Sequence, residues 1–127
     1  MDNHGRILVV EDDAVIQRLI GTMLDGAGYS TVFAEDGEAG WHALHSGSFD
    51  LVITDNNMPK VTGVEMIRRL RNVYQHLPVI LISGEVPRHL QDLTALLTPG
   101  LALEKPFSMA QLLGHVRSQL VAAGLPA

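Results

Sequence analysis

The stretch from Asp50 to Gly63, DLVITDNNMPKVTG, decides the fold. A short β-branched run, Asp50 to Thr54, stops at Asp55; Pro59 and Gly63 punctuate the loop beyond it, and helical spacing begins at Gly63 and continues to Tyr74. The run is apolar throughout instead of alternating, which implies burial on both faces, the habit of a parallel sheet covered by helices.

The same alternation extends in both directions. Short apolar runs at Arg6–Val10 (RILVV), Ser30–Ala34 (STVFA), Pro78–Ile82 (PVILI) and Leu101–Glu104 (LALE) predict four more strands. Helical spacing covers Ala14–Gly26, Gly37–His45, Pro87–Leu97 and Ser108–Ala122; in the first, Ile16, Leu19, Ile20, Met23 and Leu24 fall on one face. A (βα)5 order with right-handed crossovers gives an α/β fold, a doubly wound five-stranded parallel sheet of flavodoxin-like type. Gly26-Ala27-Gly28 follows a helix and reads as a helix stop, not a dinucleotide fingerprint.

Composition bounds the function. The 127 residues fit one domain, expected over residues 1–127 with its core in about 6–122. Hydrophobic residues at 46% against 18% charged exclude intrinsic disorder. The absence of cysteine excludes disulfides, thiolate zinc sites and cysteine nucleophiles, and is compatible with a cytoplasmic location. Nine basic against fourteen acidic residues leave a net charge of −5, which argues against direct nucleic-acid binding. The longest uncharged stretches, Val73–Gly84 and Leu93–Leu103, are too short to span a membrane, and the first residues lack the features of a secretion signal. The tail from Ala122 to Ala127 reads as a frayed end or the start of a linker, and the chain as a stand-alone or an excised domain.

In a doubly wound sheet the chemistry sits beyond the carboxyl ends of the strands. Here those ends carry Glu11-Asp12-Asp13, Asp55-Asn56-Asn57, Ser83-Gly84 and Glu104-Lys105-Pro106. Carboxylates gathered there repel one another by about 4 kcal/mol for a pair 4 Å apart at an effective dielectric near 20. A cation must therefore sit among them. Oxygen ligands without Cys or His select a hard ion, Mg²⁺ best of all, while Lys105 adds a second positive charge and Ser83 a hydroxyl donor. Asp13 suits the bland role of helix N-cap; Glu11 and Asp12 are not both needed for capping, and Asp55 is too far from the next helix to serve as one. The histidines at 4, 42, 45, 76, 89 and 115 are scattered. His42 and His45 share helical spacing but lack a third ligand, and read as a solvated face.

The segments ILVVED (Ile7–Asp12), DLVITDNNMPKVTGVEMIRRLR (Asp50–Arg71), PVILISGE (Pro78–Glu85) and Lys105-Pro106-Phe107 together make the chain resemble a response-regulator receiver domain of two-component signalling, from Arg6 to about Leu120. The resemblance implies that Asp55 accepts a phosphoryl group from a phosphohistidine on a histidine kinase or histidine phosphotransfer protein. It implies Mg²⁺ held by Glu11, Asp12, Asp55 and the Asn57 carbonyl, phosphate contacts from Asn56, Ser83, Gly84 and Lys105, and a cis Lys105–Pro106 peptide. It also implies an unknown downstream effector and leaves room for a homodimer. Asn57 and Glu85 would flank the mouth of the site. One position departs from the pattern. Receivers often carry Tyr or Phe three residues before the lysine, as the switch partner of Ser83, and here that residue is Ala102; readout is then expected to travel through the backbone of Ser83–Arg88. Two other classes compete: a phosphorylation-independent interaction domain of receiver type, and a Mg²⁺-dependent aspartyl phosphohydrolase. Against the latter stands Asn57, where such enzymes usually carry an acid two positions after the nucleophile.

Overall fold

The computed structural model describes residues 5–125. Five strands alternate with five helices: β1 (Arg6–Val10), α1 (Ala14–Gly26), β2 (Ser30–Ala34), α2 (Gly37–Ser46), β3 (Leu51–Asp55), α3 (Gly63–Arg71), β4 (Val79–Ser83), α4 (Leu93–Leu96), β5 (Gly100–Glu104) and α5 (Met109–Ala122). The strands form one parallel sheet in the order β2-β1-β3-β4-β5. This is the doubly wound arrangement that the apolar runs predict, with the strand order reversing between β1 and β3.

The period-two alternation of each strand divides the core into two layers. Ile7, Val9, Leu51, Ile53, Ile80 and Ile82 face the layer that contains Ile20 and Leu24 of α1 and Leu112, Val116 and Leu120 of α5. Leu8, Val10, Val52, Val79 and Leu81 face Leu44 of α2 and Met66, Ile67 and Leu70 of α3. Every residue of β3 and β4 is buried, whereas the edge strands β2 and β5 are largely half-buried or exposed.

Local signals set the helix boundaries. Asp13 caps α1, its carboxylate accepting from the Val15 and Ile16 N–H groups. Thr62 and Glu65 form a capping box on α3, and Ser108 and Gln111 another on α5. The turn after α1 closes at Gly28, whose φ of +92° lies where glycine is favoured; Tyr29 N–H donates to the Leu24 carbonyl.

Several boundaries shift by one residue, and three expectations differ by more. The helix predicted over Pro87–Leu97 is helical only at Leu93–Leu96. Residues between Ser83 and Asp92 satisfy their polar groups in turns instead, with Arg88 N–H donating to Val86 and Leu90 N–H to Pro87. The helix from Gly63 ends at Arg71, not Tyr74, and the Tyr74 hydroxyl reaches across to the Leu44 carbonyl. The tail expected to fray at Ala122 is tied down as far as Leu125, where Leu125 N–H donates to Leu120 across Gly124 at φ +97°. Among the histidines, His4 lies outside the described residues; His42 and His45 are exposed as expected, with His45 Nδ1 2.9 Å from the Trp41 carbonyl.

Candidate functional site

The carboxyl ends of β1 and β3 bring three acids together. One ligand oxygen each from Glu11, Asp12 and Asp55 lies within 4.8 Å of the other two. Asp55 is the last residue of β3 and is 4% exposed; Glu11 is 3% exposed and Asp12 open to solvent. The two buried carboxylates are held differently. Glu11 accepts from the Asp13 N–H at 3.1 Å, while Asp55 Oδ1 is buried without a hydrogen bond among the described residues. Lys105 Nζ is 3.2 Å from that oxygen, close enough for charge attraction but out of hydrogen-bond alignment.

This imbalance shows in the protonation of Glu11. Burial, then the neighbouring Asp55 charge and Asp12, push its carboxyl up to about 7, with the Asp13 N–H and Lys105 pulling the other way. A buried oxygen without a hydrogen bond among the described residues, beside a carboxyl that resists ionisation, marks an under-neutralised site. An oxygen-ligand divalent cation fits it: the donor set is hard, the acids converge, and Lys105, 3.2 Å from Asp55 Oδ1, sets one positive charge against three carboxyl groups.

Backbone packing places these groups. Asn56 N–H donates to the Ile82 carbonyl and its side-chain oxygen accepts from Val64 N–H at 3.0 Å, so the residue after Asp55 pins the start of α3. Gly63 permits the close approach: a methyl there would lie 2.6 Å from the Asp55 carbonyl oxygen and 3.0 Å from Asn56 Cα. Ser83 is 1% exposed. Its hydroxyl is engaged with its own loop, donating to the Glu85 carbonyl at 2.7 Å and accepting from Glu85 N–H at 3.2 Å. Gly84 faces open space, and Asn57 and Glu85 are exposed around it. Lys105–Pro106 is cis, as the resemblance implies. Ala102 is half-buried on β5 beside Leu81.

Sequence reasoning missed two positioning residues. Gly63 was legible only as a helix start, since its need appears when Asp55 packs against it. Arg71, read only as part of an amphipathic helix, donates to the carbonyls of Leu96, Tyr74, Leu77 and Pro99, tying the end of α3 to the approach to β5.

A buried acid at the end of the third strand, flanked by an acid pair and a lysine on a 2-1-3-4-5 sheet, defines an α/β domain whose strand ends gather groups that could hold a metal ion. The family model described as "Response regulator receiver domain" matches residues 7–117. Chemotaxis protein CheY of Pseudomonas aeruginosa is 38% identical over 86 residues, covering 65% of this chain and 69% of that protein. Response regulator receiver protein CpdR of Brucella abortus is 30% identical over 118 residues, covering 93% of this chain and 98% of its own. The solved structure of chemotaxis response regulator CheY4 of Vibrio cholerae superposes with a TM-score of 0.81 at 30% identity, over 90% of this chain and 97% of that one. The chain spans about half the length of the transcriptional regulatory proteins it matches, such as YkoG of Bacillus subtilis at 51%.

The chain therefore belongs to the response regulator receiver domain family. It is a signalling module of two-component systems with a phosphoacceptor function. Among the described residues no helix is long and apolar enough to cross a membrane.

Proposed function

We propose that the Asp55 carboxylate is the phosphoryl acceptor, with a phosphohistidine of a histidine kinase or phosphotransfer protein as donor. The observation that carries this reading is the buried Asp55 Oδ1, without a hydrogen bond and 3.2 Å from Lys105 Nζ. In the transfer, a carboxylate oxygen of Asp55 attacks phosphorus in line, a P–O bond forms as the P–N bond to the donor imidazole breaks, and the electron pair leaves with the imidazole. Lys105 attracts the phosphoryl oxygens, leaving Asp55 as it does so. Gly84 leaves the approach open, and Ser83 gives up its bond to Glu85 to donate to the acyl phosphate. Asn56 contributes at the phosphate through groups that its bond to Val64 leaves free. Mg²⁺ held by Glu11, Asp12, Asp55 and the Asn57 carbonyl would supply positive charge against the phosphoryl oxygens.

On this reading the module catalyses only its own phosphorylation and dephosphorylation, works in the cytoplasm as one receiver domain over residues 1–127 with its core in about 6–122, and passes its state to a downstream effector by conformational change. Incubation with acetyl phosphate and Mg²⁺ should add one phosphoryl group by intact mass, lost in Asp55→Asn. Mg²⁺ should raise the melting temperature of the unmodified chain, a rise abolished in Asp12→Ala. A chain that takes up no phosphoryl group would point to phosphorylation-independent docking. Turnover of phosphomonoesters would point to the hydrolase.

A further inference from the structure

We propose that the open edge of β2, together with the outer face of α1, is a homodimer interface in which two copies pair their β2 strands antiparallel and continue one sheet across a two-fold axis.

The edge is unguarded. Sheets normally blunt their edges with charge, proline or bulges, and Ser30–Ala34 contains none of these. The other edge, β5, is bracketed by Pro99 and Pro106 and carries Glu104. Within β2 the backbone groups of Ser30 and Ala34 turn inward: Ser30 N–H donates to Gly5, and the Ala34 carbonyl accepts from Glu11. By alternation along the strand, Thr31 and Phe33 present their N–H and C=O groups outward.

Those groups select one register. An antiparallel pair centred on Val32 sets Thr31 of one copy opposite Phe33 of the other, twice, so all four outward N–H groups and all four outward carbonyls lie in hydrogen-bonded pairs. Val32 then meets its own copy across the axis.

The helix next to the strand obeys the same axis. A concavity of about 520 Å³ runs between α1 and the β2 edge, lined among others by Arg18, Gly21, Thr22, Asp25 and Phe33. Gly21 packs against the strand one residue from its centre: a methyl there would lie 2.6 Å from the tip of the 40% exposed Phe33 ring, so glycine lets that ring lie close against the helix. Arg18 and Asp25 are placed symmetrically about Gly21 and Thr22. Both are exposed, and neither has an ion-pair partner among the described residues. Two α1 helices packed antiparallel about that midpoint set Arg18 of each copy against Asp25 of the other, with small residues at the crossing. Strand hydrogen bonding, the exposed aromatic and the charges thus converge on one self-complementary surface, as an isologous contact requires.

The test is sedimentation of the full chain from low micromolar to millimolar concentration. Wild type should dimerise with increasing concentration. Arg18→Asp alone and Asp25→Arg alone each convert two interfacial ion pairs into two like-charge contacts, and each should weaken self-association about tenfold. An equimolar mixture of the two variants restores both pairs between unlike chains and should recover the wild-type dimer. Circular dichroism melts confirm that both exposed-site variants are folded. As a second readout in a chain without cysteine, Thr22→Cys should form a disulfide-linked dimer on oxidation while Val121→Cys, on exposed α5, should not. A chain monomeric throughout the range, including one that only binds extended peptides at this edge, overturns the proposal. So do a dimer indifferent to both charge reversals, a mixture that fails to associate, and cross-linking at residue 121 equal to that at residue 22.

Discussion

The segment Leu51–Arg71 and the segment Val79–Glu104 meet at the same site, yet they are built to opposite standards. In the first, β3 is buried at every residue, Asn56 and Gly63 lock the strand end to the next helix, and Thr62 and Glu65 cap that helix reciprocally. In the second, β4 is just as buried, but the chain beyond Ser83 runs through turns into a four-residue helix and a half-buried edge strand. The ion pairs of that segment, Arg88–Glu104 at 3.5 Å and Arg68–Asp92 at 3.2 Å, are exposed and worth at most about 1 kcal/mol each. The difference teaches a division of labour. On the proposed reading, the carboxylate that attacks is held by packing, which is stiff, and the groups that respond are held largely by hydrogen bonds and surface charge, which exchange at low cost.

Two glycines give the widest separation between the segments. Gly63→Ala pushes a methyl into the Asp55 carbonyl and should cost about 3 kcal/mol in denaturant unfolding, with slower phosphorylation as Asp55 is displaced. Gly84→Ala meets nothing within 4 Å and should change stability by less than about 0.5 kcal/mol. Equal costs would break the contrast.

The charge state of Glu11 tests how far the rigid segment leaves its acids uncompensated. Its carboxyl is raised from 4.5 to about 7 in the folded chain, so between those values the folded state keeps a proton that the unfolded state releases. Metal-free stability should therefore fall as pH rises from about 4.5 through 7, by about 2 kcal/mol once the open mouth of the site is allowed for. Asp36 and Glu65 are lowered, chiefly by backbone N–H groups, and oppose this only below that window. Glu11→Gln should remove the slope, and saturating Mg²⁺ should flatten it in the wild type. A wild-type chain with no slope to remove would mean that the pocket is already neutralised.

Arg71 is the main strap between the segments. Arg71→Met leaves several part-buried carbonyls without their donor and should cost about 1.5 kcal/mol. Faster amide exchange should be confined to Leu96–Leu101. Exchange that rose equally along β3 would show that the segments are one cooperative unit.

The smallest effect is expected at Ala102. Its methyl has no rotamer to switch, so beryllofluoride should alter amide exchange more across Gly84–Leu97 than along Leu101–Glu104, and Ala102→Tyr should leave the phosphorylation rate within about threefold, a rate difference under about 1 kcal/mol. Partner affinity is the property that should move.

The alternation of fully apolar runs with amphipathic stretches was enough to read the parallel sheet, because burial on both faces leaves no polar positions in β3 and β4 short of their carboxyl ends. The acids, Ser83 and Lys105 were legible for a related reason: charged and hydroxyl residues at the ends of apolar strands stand out against their surroundings. The short extent of helix α4 was not legible. Val86, Leu90, Leu93 and Leu96 keep a helix-compatible spacing, but the Ser83–Glu85 turn and the bonds from Arg88 and Leu90 claim the backbone groups that a longer helix would use. Nor could the sequence alone show that Ser83 points its hydroxyl at Glu85, that Gly63 must be glycine, or that Arg71 gathers carbonyls from two loops. The sequence determined which residues are buried and which chemistry stands at the strand ends, since those come from local pattern. Only the tertiary structure decided which polar groups find partners, because a hydrogen bond depends on distances between segments that are far apart in the chain.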